Sequence, residues 1–421
     1  MPTQKKIKRK DIELTAPAGS YESLMAAIQG GADSVYFGTD HLNMRMKSAN
    51  NFSMDDLDWV VEICRENNLR SYLTVNTVVY DTDIPSVKKI LQKAKKCGIS
   101  AIIATDHSVI SCARSVGLEV HVSTQVNIAN VESVKFYSRY ADVMILAREL
   151  NLDQTAHIVR EIEKQDIRGP SGRKVAVEIF VHGALCMAIS GKCYLSLHEK
   201  NSSANRGACM QPCRRSYLVK EVESGYELEI DNEYIMSPKD LCTIHFLNKI
   251  VNAGVSVLKI EGRARSPEYV KTVTSCYNQA LNAIADETYS EEKIRRWKEK
   301  LASVFNRGFW DGYYLGQRTG EWSHAYGSSA TKRKVYVGKG TNYYNKIKVA
   351  EFIIEDNPLK VNDEIIVIGP TTGVVQTVVK EIRTDKGPVE QAFKGETCSV
   401  AIDSVVRRSD KLYKVVDATQ S

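Results

Sequence analysis

Long apolar runs are missing from this 421-residue chain. Stretches such as Ala101-Ile-Ile-Ala104 fall far short of the ~18 residues a membrane-spanning helix needs, so no membrane association is expected. The basic start, Lys5-Lys-Ile-Lys-Arg-Lys10, has no apolar segment behind it and does not read as a secretory signal. A cytoplasmic protein with a disordered basic arm over residues 1–11 is the expectation. Three catalytic signatures are absent as well. There is no G-x-G-x-x-G after the first candidate strand, no G-x-S-x-G and no H-E-x-x-H, which removes the usual marks of a dinucleotide fold, a serine hydrolase and a zinc protease. Neither repeats nor low-complexity segments occur. Charge of one sign is scarce too: 57 Lys and Arg against 51 Asp and Glu leave a net +6, which permits a polyanionic partner without demanding one.

What is present is a rhythm. From residue 12, short β-rich runs alternate with segments of helical period, the pattern of parallel β/α units. Eight runs qualify as strands, from Glu13-Leu-Thr-Ala16 to Val255-Ser-Val-Leu-Lys-Ile-Glu261. Between them, Leu57, Val60, Val61 and Cys64 fall on one helical face. Eight units over about 270 residues predict an α/β fold, a (β/α)8 TIM-like barrel over 12–285, with a doubly wound open sheet as the alternative. Strand mouths line the active face of such barrels. Here they carry Asn76, His121, Gln125, Arg148, Glu149, His182, Lys259, Glu261 and Arg263.

The unit after Phe180 is interrupted by a cysteine-bearing insertion over 181–254. A helical bridge and linker follow at 286–331, and from 332 to 421 the period drops to two, which predicts a small antiparallel β-barrel. Its Lys332, Arg333, Lys334, Lys339, Lys346 and Lys348, interleaved with Tyr336, Tyr343 and Tyr344, suit RNA contact or a solvated face.

Ten cysteines are unevenly spread. Cys186 and Cys193 stand seven apart, Cys209 and Cys213 four apart, and a compact insertion brings both pairs within reach of one site. Four thiolates suit a tetrahedral zinc or a cubane iron–sulfur cluster, and the spacings favour the latter over a zinc ribbon. Packed thiols without a ligand are the plain alternative. Cys242 is a fifth thiol that could replace one of the four, or a buried structural one. Cys64, Cys97, Cys112, Cys276 and Cys398 fit helix or strand faces singly.

Among the remaining polar residues, Arg148, Lys259 and Arg263 suit carboxylate binding, or ion pairs with Glu149 and Glu261. His121 could move a proton or simply be hydrogen-bonded. Asn76 and Gln125 could read a base edge or satisfy a loop. Cys186 with His182 four residues earlier would be the only nucleophile–base pair a protease could use.

The run Glu178-x-Phe180-x-x-Gly183-Ala-Leu-Cys186-x4-Gly191-x-Cys193-x-Leu195-Ser196 resembles the signature of the U-32 peptidase family, once called collagenase-like proteases. Ala16-Pro-Ala-Gly19, His121-Val-Ser-Thr-Gln125, Ala147-Arg-Glu-Leu150, Lys259-Ile-Glu-Gly-Arg263 and Phe305-Asn-Arg-Gly-Phe309 extend the resemblance over nearly the whole chain. It implies an oxygen-independent hydroxylase rather than a protease. Cys186, Cys193, Cys209 and Cys213 would hold a [4Fe–4S] cluster, and prephenate would donate the hydroxyl. Independently of the resemblance, strand-end position and side-chain chemistry make His121, Glu149 and Glu261 the candidate catalytic residues and Asn76, Gln125, Arg148, Lys259 and Arg263 the candidate substrate-binding ones. Chain length and the C-terminal β-barrel look most like the tRNA-hydroxylating members, which form 5-hydroxyuridine at the wobble position. Hydroxylation of 23S rRNA or of a quinone precursor, proteolysis, and a homologous partner subunit are the other expectations.

Overall fold

In the computed structural model, residues 7–47, 50–217, 223, 236–317, 320–323 and 327–418 are described. The β-rich runs become eight parallel strands: β1 (Glu13–Pro17), β2 (Ser34–Gly38), β3 (Arg70–Val75), β4 (Ala101–Ala104), β5 (Glu119–Val122), β6 (Val143–Ile145), β7 (Ala176–Gly183) and β8 (Val257–Ile260). Each pairs with the next, and β8 returns to β1 through Leu14↔Leu258, which closes the barrel. Closure leaves the barrel sheet without a free edge.

Helices α1 (Tyr21–Gly30), α2 (Leu57–Glu66), α3 (Ile84–Cys97), α4 (His107–Ser115), α5 (Val131–Ser138), α6 (Leu152–Lys164), α7 (Leu247–Asn252) and α8 (Pro267–Ala285) surround it. Their boundaries follow from local chemistry. Ser20 caps α1 by accepting the Ser23 N–H, and Gly31 ends it in the left-handed conformation that glycine tolerates. In α3 the stripe Val87, Ile90, Leu91 and Ala94 is buried on the barrel.

Two additions were not visible as strands. Asp240–Cys242 pairs antiparallel with the end of β7, through His182↔Cys242, and Phe309–Trp310 adds alongside it. They staple the cysteine-bearing insertion and the Phe305–Phe309 segment to one side of the barrel mouth. The bridge contains a helix, Glu291–Ser303, whose Ile294, Trp297 and Leu301 are buried in the barrel's own core. Arg9 departs from the expected disordered arm: it is pinned to Asp33 at 2.8 Å and to Asn278 at 3.0 Å.

The C-terminal strands form an antiparallel sheet in the order Gly373–Val378, Glu364–Gly369, Lys411–Asp417, Lys332–Tyr344, Val349–Ile354, Thr397–Ala401, Ile382–Thr384, Gly387–Val389. Val337, Phe352, Ile365, Val367, Cys398 and Leu412 meet in one core there. The sheet is docked on α1 and α8. Gln29 bonds both Thr372 and Val374 at 2.9 Å, Lys334 pairs with Glu268 at 2.8 Å, and Ile366, Ile368 and Val374 join the barrel core.

Candidate active site

At the C-terminal ends of the strands one cavity gathers Asn76, Gln125, Arg148, Lys259, Glu261 and Arg263 with Cys186, Cys193, Cys209 and Cys213. Among the described residues, Arg45, Arg148, Arg214, Lys259, Arg263, Arg265 and Arg307 also line it, against the single carboxylate of Glu261. Such a cavity attracts anions, and its low-dielectric walls strengthen that attraction.

Glu261 organises the cations. Arg45 donates to it at 2.9 Å, and the Tyr36 hydroxyl lies 3.1 Å from its other oxygen. Burial alone would raise its pKa, but Arg45, Arg148 and Arg263 together hold the carboxyl down at about 2. It is therefore a permanent anion near neutral pH and an anchor for arginines, poorly suited to moving a proton. Arg263 reaches Thr74 at 2.8 Å and Asn43 at 2.7 Å. It can pass there because Gly38 has no side chain: a Cβ at that position would stand 2.5 Å from the Arg263 guanidinium. Arg148 stacks 3.8 Å over the Phe180 ring and donates to the Ala184 carbonyl, leaving its buried Nε without a partner. Lys259 is paired at 2.7 Å with Glu178, and its ammonium lies 4.3 Å from the Tyr36 ring centroid. Gln125 accepts from Thr105 at 2.7 Å, and Asn76 from the Met44 N–H at 3.2 Å.

The cysteine wall is set by the signature's small residues. Gly183 has φ +103°, and a Cβ there would meet the Glu261 carbonyl oxygen at 2.3 Å; Gly191 turns the chain at φ +75°. Ser196 accepts the Met210 N–H at 3.0 Å, tying the Cys186–Cys193 limb to the Cys209–Cys213 limb. Burial is the main force pushing the Cys213 thiol up to about 11; Arg214 opposes it, while Cys186, Cys209 and Cys193 add to it. The four sulfurs thus sense one another, although among the described residues no three His, Cys, Asp or Glu side chains are close enough to hold a single metal ion. Four soft thiols beside Arg45 and Arg214 are a donor set that fits an iron–sulfur cluster. Cys242 is not part of this wall. It is buried beside Tyr277, outside the cavity, the placement of a structural thiol.

Two of the expected catalytic side chains lie elsewhere. His121 is sealed inside the barrel, its ring 4.5 Å from that of Tyr72, with Glu119 at 3.3 Å and Glu178 at 3.8 Å. Glu149 is exposed and does not line the cavity, because its neighbour Arg148 takes the inward position. The Cys186–His182 pair is also not assembled. His182 is buried among Tyr269, Tyr277 and Phe309, and burial followed by the Arg265 charge holds its pKa down to about 3. On the C-terminal sheet, Lys332, Lys339 and Lys348 each face a carboxylate, Glu364, Glu355 and Asp403, so much of the positive charge expected for RNA there is neutralised. Arg45 and Glu178 were missed. Arg45 lies in the aperiodic loop after β2, where position at a strand mouth was the available clue.

The family description "Peptidase family U32" matches residues 19–324. The chain belongs to peptidase family U32. A U32 relative described as a collagenase of Porphyromonas gingivalis is 60% identical over 96% of this chain and 98% of its own length. A tRNA hydroxylation protein of Bacillus subtilis is 31% identical, covering 90% of this chain and 89% of that one. A 23S rRNA 5-hydroxycytidine synthase of Escherichia coli is 32% identical over 74% of this chain and 46% of its own length. No helix among the described residues is long and apolar enough to cross a membrane.

Proposed function

We propose that this U32 protein is an iron–sulfur-dependent, oxygen-independent RNA hydroxylase that forms 5-hydroxyuridine at the wobble position of tRNA, with prephenate as hydroxyl donor. The observation carrying this reading is that four thiols share one cavity with seven cations. Cys186, Cys193, Cys209 and Cys213 would hold a [4Fe–4S] cluster, which supplies one-electron chemistry when bound. A single zinc, with Zn–S bonds of about 2.3 Å, needs its sulfurs drawn tightly together, whereas a cubane spans a wider gap. Arg148 and Arg263 would grip the carboxylates of the donor; Thr74 and Asn43 hold the Arg263 guanidinium, Phe180 and the Ala184 carbonyl hold that of Arg148, and Glu261 holds Arg45 beside them. Gln125 and Asn76 would orient the base or the donor. Lys259 would face the substrate from the cavity wall with Glu178 as its counter-ion.

The relatives described as acting on tRNA and rRNA support the RNA substrate; the 60% identity to a collagenase-named protein supports proteolysis as the second reading. Two measurements separate them. Anaerobically purified protein should contain iron and sulfide, and tRNA from a deletion strain should lose 5-hydroxyuridine derivatives. Intact tRNA with altered 23S rRNA, or with an altered quinone pool, moves the assignment to those substrates. An iron-free protein that cleaves gelatin overturns the hydroxylase reading.

A further inference from the structure

A second concentration of positive charge lies outside the C-terminal sheet. Between Ala184 and Tyr217 stand five Lys and Arg and one carboxylate, Glu199, a large share of the whole chain's net +6. The same segment carries an exposed apolar rim. Met187 and Ile189 line the cavity and are exposed; Met210 lies between cavity-lining Cys209 and Gln211 and is exposed too. Tyr194, between cavity-lining Cys193 and Leu195, is 73% exposed. Soluble proteins rarely collect apolar side chains around a polar, cationic opening without something to cover them.

A second exposed ring is tied to the cavity wall at Asn205. Tyr80 is 57% exposed, with the Arg206 guanidinium 4.0 Å from its ring centroid. Arg206 is held by Asp83 and by the Val78 carbonyl at 3.0 Å, and the Val78 N–H bonds Asn205, a cavity-lining residue. One face of the Tyr80 ring is therefore covered and preorganised.

We infer that this rim is a docking platform for single-stranded RNA, on which Tyr194 and Tyr80 stack the nucleotides flanking the base that enters the cavity. The inference rests on the RNA reading above and adds where the strand lies. Charge complementarity favours RNA over a peptide or a second copy of the chain: Lys200 and Arg215 share the single carboxylate of Glu199, so together with Lys192 they keep a net positive charge outside to meet phosphates while the exposed rim takes bases. A fully paired duplex hides its base faces and gains only the phosphate contacts.

The test is fluorescence anisotropy on the anaerobically purified full chain, with a labelled short RNA hairpin carrying uridine in its loop and a fully paired duplex of equal length. The hairpin should bind more tightly. Tyr194→Ala and Tyr80→Ala should each weaken hairpin binding by roughly tenfold, about 1.4 kcal/mol, the scale of one lost base stack. Tyr194→Phe keeps the ring and should keep the affinity, as should Lys339→Gln on the C-terminal sheet. Equal binding of hairpin and duplex, or wild-type affinity in both alanine variants, overturns the platform, as does self-association or collagen-peptide binding that depends on Tyr194 while the hairpin does not bind. The two readings fail separately. Hydroxylation that survives with both substitutions silent sinks the platform alone, whereas ring-dependent hairpin binding by an iron-free, non-hydroxylating protein sinks the hydroxylase reading and leaves the platform standing.

Discussion

Lys259 and Glu178 face each other at 2.7 Å with both side chains almost wholly withdrawn from water. The pair lies beneath the cavity, and the second Glu178 oxygen has no hydrogen-bond partner. A buried pair gains its attraction against a large desolvation penalty, so the instructive experiment is to remove one partner. Glu178→Gln strands an ammonium in the barrel and should cost ~3–5 kcal/mol in urea unfolding, with Lys259→Met similar. The double variant Glu178→Leu with Lys259→Met should recover much of the loss. If the single variants unfold like wild type, the ion pair does not form.

Glu261 gives a pH prediction. Its carboxyl is depressed from 4.5 to about 2 against the push of burial, by Arg45, Arg148 and Arg263. A depressed pKa contributes stability that is present above the unfolded-state value and is lost as protons bind the native state. That contribution, on the order of 3 kcal/mol, should therefore hold above about pH 4.5 and drain away as pH falls toward 2. Glu119 is likewise held at about 2, despite burial, by His121 and Arg70, and it titrates in the same window. The measurement is the difference in denaturation free energy between wild type and Glu261→Gln across that range. It should shrink steadily with acid; a constant difference would show that the arginines do not hold the carboxylate.

The barrel was legible because its strands are short apolar runs separated by helices of clear period, and all eight predicted runs overlap an observed strand. The insertion's staple was not, since Asp240–Cys242 is only three residues long and pairs with the far end of β7. Site residues followed the same division. Being at a strand mouth predicted Gln125, Arg148 and Glu261, but it could not tell Arg148 from Glu149, which adjacent side chains of alternating direction separate. Nor could it show that Lys259 answers to Glu178, 81 residues away. His121 looked like a mouth residue because its strand is short; one step along β5 places it inside the barrel instead.

Gly38 makes a prediction about the anion site. Adding a methyl group would bring it to 2.5 Å from the Arg263 guanidinium and 2.7 Å from Asn43, and neither can retreat without giving up a buried hydrogen bond. Gly38→Ala should destabilise the fold by ~1–3 kcal/mol, as overpacking does. On the proposed function it should also raise KM for prephenate more than it lowers kcat, because Arg263 is displaced while the thiols are untouched. Steady-state kinetics at several donor concentrations would reveal this split, and an unchanged KM would exclude Arg263 from donor binding.

The cysteines should divide cleanly in a serine scan. Cys186, Cys193, Cys209 and Cys213 line the cavity, whereas Cys242 is buried outside it, its thiol pushed up to about 11 chiefly by desolvation. Replacing any of the first four should abolish most bound iron and the associated visible absorbance of anaerobically prepared protein, with the fold retained, since these side chains are exposed or half-buried. Cys242→Ser should do the reverse. It buries a hydroxyl in place of a thiol beside Tyr277, costing ~1–3 kcal/mol of stability, yet the iron content should stay at the wild-type level. The decisive comparison is Cys213 with Cys242: Cys213→Ser retaining iron while Cys242→Ser loses it would transfer the fourth ligand position to Cys242.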